Sequence, residues 1–173
     1  MEQINHDFED FLAVVSGEEK AFVAEIHKML LKENNKVKIT VKGTKTIQRT
    51  VTYSEAKTRR NTAKFSLKKD MLSIHIYTKN YDKYLDVLSA LPETMINQMN
   101  ESHVCKNLVK QDGKGCSWPD CSGYDFYIGD MHFQKCSYYC FQFNVDAESI
   151  PFLRGIIEAE LKARTAMALL CYI

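Results

Sequence analysis

Alternation of apolar and polar residues along several short segments is the feature that most constrains the fold of this chain. A period of two places apolar side chains on one face of a β-strand and polar side chains on the other. The clearest segments are residues 37–41, 63–67 and 72–76, and residues 47–53 continue the pattern less regularly. Together they predict a meander of three or four antiparallel strands with one buried face.

Helical spacing of apolar residues surrounds this strand block. Ser16 and Glu19 have the spacing of a capping box and precede apolar residues that recur at helical intervals up to Asn34. A shorter helix that carries Phe8 and Phe11 is expected before it. After the strands, Asn80 is predicted to cap one helix and Pro92 to open another.

A second strand block lies near the C-terminus. Residues 124–128 and 131–135 alternate around a Gly129-Asp130 turn, residues 139–145 predict a third strand, and a final helix should begin near Asp146 or Ser149. Strands in blocks predict an α+β fold, with an antiparallel sheet built from two strand blocks and helices packed on one face. At 173 residues, the chain is expected to form a single domain, residues 1–173.

Cysteine usage and the N-terminal sequence predict the compartment. The chain has six cysteines, and its first residues lack the basic and apolar regions of a secretory signal. Free thiols in a reducing cytosol are therefore expected rather than a disulfide framework. The longest apolar run, 166–173, is far shorter than a bilayer span, so no membrane association is expected.

Positive charge is concentrated in the first strand block. Residues 35–70 contain eleven Lys or Arg and two acidic residues, although the whole chain has a net charge of only +1. Several of these lysines fall on the polar face of the strands: Lys36, Lys38, Lys42, Lys64 and Lys68. Two interpretations remain open, a solvated face whose lysines discourage aggregation and an accessory nucleic-acid binder that uses strands 36–68.

Five of the six cysteines lie between residues 105 and 140. Four of them form two closely spaced pairs that are candidate zinc ligands: Cys116, Cys121, Cys136 and Cys140. One continuous strand over 134–144 would separate the second pair by about 13 Å, too far to share an ion. Ser137-Tyr138 is not turn-like, which weakens the zinc hypothesis. Small buried hydrophobic residues and redox-active or nucleophilic thiols are the alternatives.

Motifs of the common enzyme classes are absent from the sequence. There is no phosphate-binding loop, dinucleotide fingerprint, zincin helix or nucleophile elbow. Glu158 and Glu160 are acidic neighbours, but they are expected on the solvated flank of the last helix. No catalytic residue is therefore predicted.

The second strand block has an unusual outward face that combines polar, aromatic and sulfur-containing side chains, with Cys136 and Cys140 among them. Five of its residues are predicted to bind a ligand: Tyr127, His132, Gln134, Tyr138 and Gln142. Such a mixture is typical of a pocket lining for a small molecule or a protein partner. A core that continues beneath a covering helix is the alternative interpretation.

Residues 64–143 resemble small bacterial proteins of unknown function. The resemblance rests on the run from Leu72 to Leu91 with its Leu-Pro-Glu-Thr-Met continuation, on Gly123-Tyr-Asp-Phe, and on Lys135-Cys136. The order of elements is also similar to that of the α+β domains of the YdhG-like group, for which iron-chaperone roles have been suggested. Because the cysteine loop has no counterpart there, the resemblance implies neither iron chemistry nor site residues for this chain.

These observations lead to one hypothesis and two alternatives. The hypothesis is a cytosolic, non-catalytic domain that binds a ligand or partner through the second strand block. The first alternative is a metal-binding or redox-sensing protein, with zinc as the candidate metal. The second is the nucleic-acid binder that uses the basic strands.

Overall fold

The computed structural model describes residues 2–42, 48–109 and 123–170. Helices and antiparallel strands occur in separate blocks, which confirms the α+β class. The helices are α1 (Glu2–Leu12), α2 (Gly17–Lys32), α3 (Leu85–Ser89), α4 (Glu93–Glu101), α5 (Lys106–Val109) and α6 (Ile150–Leu170). The strands are β1 (Asn35–Lys42), β2 (Gln48–Glu55), β3 (Asn61–Lys68), β4 (Met71–Ile76), β5 (Tyr124–Ile128), β6 (Met131–Lys135) and β7 (Gln142–Asn144).

The chain divides into two compact units, each made of two chain segments. Unit 1 comprises Met1–Ile76 and Asn144–Arg154, and unit 2 comprises Tyr77–Phe143 and Gly155–Ile173. The single-domain hypothesis stays a prediction.

Unit 1 contains the antiparallel meander that the alternating segments predict. β1 pairs with β2, β2 with β3 and β3 with β4, and the sheet order continues to β7. Lys69 and Asp70 connect β3 to β4 with φ angles of 48° and 61°, the left-handed conformation that a tight hairpin turn requires. In the second segment of the unit, the Val145 N–H donates a hydrogen bond to the Leu72 carbonyl at 2.9 Å.

Helices α1 and α2 pack on one face of this sheet. Phe22 of α2 lies edge-on to Phe65 of β3, with 6.0 Å between the ring centroids, and both side chains are buried. Ser16 occupies the N-cap position of α2, but its side chain makes no capping hydrogen bond. The predicted capping box with Glu19 is therefore wrong, although the helix begins where the sequence indicates.

His27 of α2 is held between two aromatic residues of unit 1. Its ring stacks on Phe8 at 3.6 Å, and its Nδ1 lies 3.0 Å from the Tyr53 hydroxyl. Burial lowers the pKa of His27, and the nearby Glu9 carboxylate opposes this shift only in part. The folded protein therefore disfavours the imidazolium form.

We expect stability to fall as the pH decreases through the ordinary histidine pKa of about 6.5, because the unfolded chain then binds a proton that folded His27 resists. The loss should continue until the pH passes below the folded pKa. Urea unfolding on either side of that window should show a larger decrease for the wild type than for His27→Gln. Equal decreases in both proteins would contradict the assignment.

Several predicted elements differ from those observed. Instead of one helix capped by Asn80, a 3-10 turn at Tyr81–Lys83 precedes the short α3, and the Asn80 side chain makes no capping hydrogen bond. β5 and β6 form a separate two-stranded sheet. The third strand predicted at 139–145 is replaced by a turn at residues 137–141 followed by β7. Alternating aromatic residues are compatible with a strand over 139–145 and with a turn followed by a shorter strand. Hydrogen bonds within the turn at 137–141 favour the turn.

The start of α6 follows the prediction. The Ser149 N–H donates to Asp146 Oδ1 at 2.8 Å, and the Asp146 N–H donates to Ser149 Oγ at 3.0 Å. This reciprocal pair satisfies backbone donors just before the helix. None of the helices in the described ranges is both long and apolar enough to cross a membrane.

Candidate functional site

The β5–β6 hairpin of unit 2 positions the best candidate site. In β5, Tyr124, Phe126 and Ile128 are buried, whereas Asp125 and Tyr127 are exposed. Alternation therefore separates a packed inner face from an outer face, as in any strand with one face in the core. Gly129 adopts a φ of 56° in the connecting turn, a conformation in which most side chains would be strained.

An aromatic cluster supports the hairpin from its inner face. Phe126 and Phe133 stack almost parallel, with 5.2 Å between centroids and an interplanar angle of 8°. Phe141, from the turn at 137–141, completes the cluster by packing edge-on against Tyr124 at 5.0 Å. Phe133 and Phe141 are fully buried. Close packing of this kind keeps the outer face in one conformation.

The outer face carries a linked group of four side chains, which we call the hairpin face: Asp125, Tyr127, His132 and Gln134. Tyr127 and His132 are direct cross-strand partners, and their rings stack at 4.2 Å with an interplanar angle of 4°. His132 Nε2 lies 2.6 Å from Asp125 Oδ1. Gln134 Nε2 donates to the other carboxylate oxygen at 3.2 Å. Each side chain is thus fixed by at least one neighbour.

The Asp125 carboxylate determines the electrostatics of the hairpin face. The hydrogen bond from His132, and next the one from Gln134, lower the pKa of Asp125, so the carboxylate is ionised at neutral pH. An ionised carboxylate only accepts hydrogen bonds, which places a proton on His132 Nε2. Nδ1 of the same ring is then directed away from Asp125.

Tyr81 supports Asp125 from the 3-10 turn. Its hydroxyl lies 3.4 Å from the Asp125 carbonyl oxygen and 3.5 Å from the Asp125 nitrogen, while its ring packs against Tyr124 and Phe126. The strand that carries the carboxylate is therefore contacted by Tyr81 at its backbone and by the aromatic cluster at its inner face.

Three of the five predicted ligand-binding residues come together here: Tyr127, His132 and Gln134. Tyr138 lies in the turn at 137–141 and Gln142 in β7, so neither belongs to the two-stranded sheet. Sequence reasoning missed Asp125 and Tyr81. Asp125 has the same strand parity as Tyr127, which could have identified it, whereas Tyr81 lies too far away in sequence to be recognised.

Cys136 and Cys140 are not on the outer face. Both are buried, at 8% and 0% exposure, so their predicted place in an outward sulfur-containing surface is wrong. The Cys140 N–H donates to the Cys136 carbonyl at 3.1 Å, which makes residues 136–140 a helical turn. Residues 134–144 are therefore not one continuous strand, so the separation of about 13 Å that such a strand would impose on the two cysteines does not apply.

Buried thiols in unit 2 have an apolar environment. Cys105 packs with Cys136 and Leu108, and neither these two cysteines nor Cys140 forms a disulfide bond. Burial raises the pKa of Cys140 to about 12, despite the opposing effects of Lys135 and of a hydrogen bond with Ser102. This thiol is therefore protonated at neutral pH, whereas nucleophiles and metal ligands are thiolates.

The zinc hypothesis concerns residues that lie partly outside the described ranges. Cys116 and Cys121 fall in 110–122, which the structure does not describe. Among the described residues, no group of three or more His, Cys, Asp or Glu side chains is arranged to hold a metal ion. A zinc site that uses Cys116, Cys121, Cys136 and Cys140 stays a prediction.

Lys135 is a buried cation beside this cluster. Its Nζ donates to the carbonyl oxygens of Asn100 and Ser102, where α4 ends. The unsatisfied carbonyls and the negative end of the helix dipole stabilise an ammonium group there. Lys135 therefore connects β6 to the helix end.

Comparison of the chain with protein-family models, curated proteins and solved structures found no significant match. The resemblance to the YdhG-like group therefore stays an untested prediction.

Proposed function

We propose that this chain is a non-catalytic binding protein of the cytosol and that its hairpin face contacts a segment of a partner protein. The principal support is Tyr127, which is 59% exposed although its ring is held against His132. An exposed tyrosine with one fixed conformation is the kind of residue that dominates binding energy at protein interfaces.

The shape of the site favours a protein segment over a small molecule. Small-molecule sites are concave and enclose most of the ligand, whereas the hairpin face is the outer surface of a two-stranded sheet. Asp125 and His132 have side-chain exposures of 47% and 36%, so both are accessible to a partner. A peptide that places an aliphatic or aromatic group on Tyr127 and a donor at Asp125 would match the chemistry of this surface.

Preorganisation further supports this proposal. Association is opposed by the entropy of fixing side chains, about 0.5–1.5 kcal/mol for each flexible one. The contacts among Asp125, His132 and Gln134 already restrict these side chains before any partner arrives. More of the interaction energy is therefore available as affinity.

The proposed compartment rests on thiol chemistry. Cys105, Cys136 and Cys140 form no disulfide bond, and their burial matches the apolar role that reduced cysteine often has. A reducing cytosol keeps such thiols reduced.

Selection of a displayed random-peptide library on the immobilised protein tests the binding role. We expect a family of peptides whose affinity falls about 30-fold or more with Tyr127→Ala, because truncation of such an anchor costs at least about 2 kcal/mol. Isothermal titration calorimetry with the selected peptides measures the loss.

Tyr138→Ala is the matched control, because Tyr138 is 45% exposed and lies in the turn rather than on the hairpin face. It should leave the affinity within about twofold of the wild type. A library that yields no binder, or binders that are equally sensitive to both substitutions, would count against this proposal.

A further inference from the structure

The polar face of the meander in unit 1, which we call the lysine face, carries an uncompensated positive charge. It consists of the outward residues of β1 to β4, on the opposite side from the buried Val51, Tyr53 and Phe65. The strand register brings these outward residues into rows across the sheet. One row runs Lys38, Thr52 and Lys64, and His75, the next residue in register, is buried and so contributes no exposed charge.

Acidic side chains are missing from these rows. None of the outward positions 36–42, 48–54, 64–68 and 71–75 is Asp or Glu. Lys36, Lys38, Lys64 and Lys68 make no ion pair with a carboxylate in the described part of the chain. Ordinary protein surfaces mix charges of both signs, so a sheet face whose charged side chains, on β1 and β3, are all lysines favours an anionic partner.

The chemistry between the lysines is also suited to oxyanions. Lys36, Lys38 and Lys68 are exposed and Lys64 is half-buried. Most of the side chains between them are hydroxyls, contributed by Thr and Ser on all four strands. Ammonium groups and hydroxyls are common donors to the phosphate oxygens of nucleic acids.

Spacing allows several phosphates to be engaged together. Neighbouring outward residues of one strand lie about 6.7 Å apart, and residues two strands apart lie about 9.6 Å apart. Long, flexible lysine side chains can adjust their position over such distances. Because double-stranded DNA offers one charge for about every 1.7 Å along its axis, several phosphates fall within the span of these lysines.

We infer that the lysine face binds the phosphate backbone of double-stranded nucleic acid without regard to sequence. Proteins that hold single strands stack the bases on aromatic side chains, and no outward position of β1 to β4 is Phe, Tyr or Trp. A duplex keeps its bases paired and presents phosphates, so it needs no stacking platform. This activity is independent of the hairpin face and goes beyond the proposed function.

Fluorescence anisotropy with labelled duplexes of two unrelated sequences, as DNA and as RNA, tests the inference. We expect similar affinities for the two sequences and a slope of log Kobs against log salt of about −3.6 for four lysine contacts. Raising the salt from about 50 to about 200 mM should then weaken binding about 150-fold. The DNA and RNA arms identify which duplex is preferred.

Paired variants locate the surface. The double substitution Lys38→Gln and Lys64→Gln removes two charges from one row and should reduce the slope to about −1.8. The control, Lys28→Gln with Lys32→Gln, removes the same charge from exposed positions of α2 and should leave the slope near −3.6. Circular dichroism checks that each variant remains folded.

Several results would overturn the inference. These are no duplex binding at roughly micromolar protein in low salt, an unchanged slope in the Lys38/Lys64 variant, or an equal change in the control. Tighter binding of single strands than of duplexes would do the same. Binding to vesicles that contain phosphatidylserine, without binding to duplexes, would assign the lysine face to an anionic membrane instead.

Discussion

Replacing Glu160 with alanine should destabilise unit 2 by about 3 kcal/mol, the cost expected when one partner of a buried ion pair is removed. The Glu160 side chain is only 1% exposed and accepts a hydrogen bond from Arg164 Nε at 2.7 Å. The Tyr84 hydroxyl donates to the same carboxylate at 2.8 Å. Without the carboxylate, the Arg164 guanidinium, 15% exposed, would lose its buried counter-charge.

The carboxylate also anchors the backbone that leads into the 3-10 turn. The N–H groups of Lys79 and Asn80 both donate to Glu160 at 3.2 Å. Buried backbone donors without acceptors are costly, so this loop should open more often in the variant. Hydrogen exchange of residues 77–84, followed by mass spectrometry, reports this opening directly, and urea unfolding gives the global free energy.

Two further variants make the Glu160 result specific. Glu158→Ala removes an exposed carboxylate from the same helix and should change stability by less than about 0.5 kcal/mol. Glu160→Leu combined with Arg164→Met removes both charges and should recover part of the loss, because an apolar pair leaves no uncompensated charge. If Glu160→Ala is no more destabilising than Glu158→Ala, the buried network does not stabilise unit 2.

Replacing Phe141 with alanine should cost about 3–5 kcal/mol, as expected for truncation of a buried phenylalanine. Phe141 is fully buried and packs against Tyr124 at 5.0 Å and Phe126 at 6.0 Å. The cavity would lie directly beneath the β5–β6 hairpin. We therefore also expect faster hydrogen exchange in residues 124–135 and weaker binding of peptides selected on the hairpin face.

Tyr139 provides a control from the same turn. It is 47% exposed, and its ring lies edge-on to His103 at 4.6 Å, so Tyr139→Ala should cost about 1 kcal/mol or less. Phe141→Leu, which keeps more of the volume, should fall between the two alanine variants. Similar unfolding midpoints for Phe141→Ala and Tyr139→Ala would show that Phe141 is not essential to the cluster.

Glu160 illustrates where sequence reasoning failed. The prediction placed it with Glu158 on a solvated flank, but only Glu158 is exposed. Helical spacing alone separates the two carboxylates, because Glu160 follows the buried Ile156 and Ile157 by four and three residues. That spacing does not reveal the partners of the buried carboxylate, which come from the distant residues Lys79, Asn80 and Tyr84.

The turn at residues 137–141 illustrates the same limit. Alternation of Tyr139, Phe141 and Phe143 predicted a strand, and Ser137-Tyr138 has no turn signature. In the structure the Tyr139 and Cys140 N–H groups donate to the Cys136 carbonyl, so the chain turns before β7. Aromatic side chains at these positions can be buried by a strand or by a turn. Only the tertiary packing distinguishes the strand from the turn.

By itself, the sequence determined the α+β class, the β1–β4 meander, the β5–β6 hairpin and the outward position of Tyr127 and His132. These features depend on strict alternation and on turn residues such as Gly129, which act over a few neighbouring positions. Only the tertiary structure decided which groups surround the buried Glu160 carboxylate and that the Cys140 thiol is protonated at neutral pH. Most of the hydrogen-bond partners of these two groups come from segments far apart in the chain, and short-range periodicity carries no information about them.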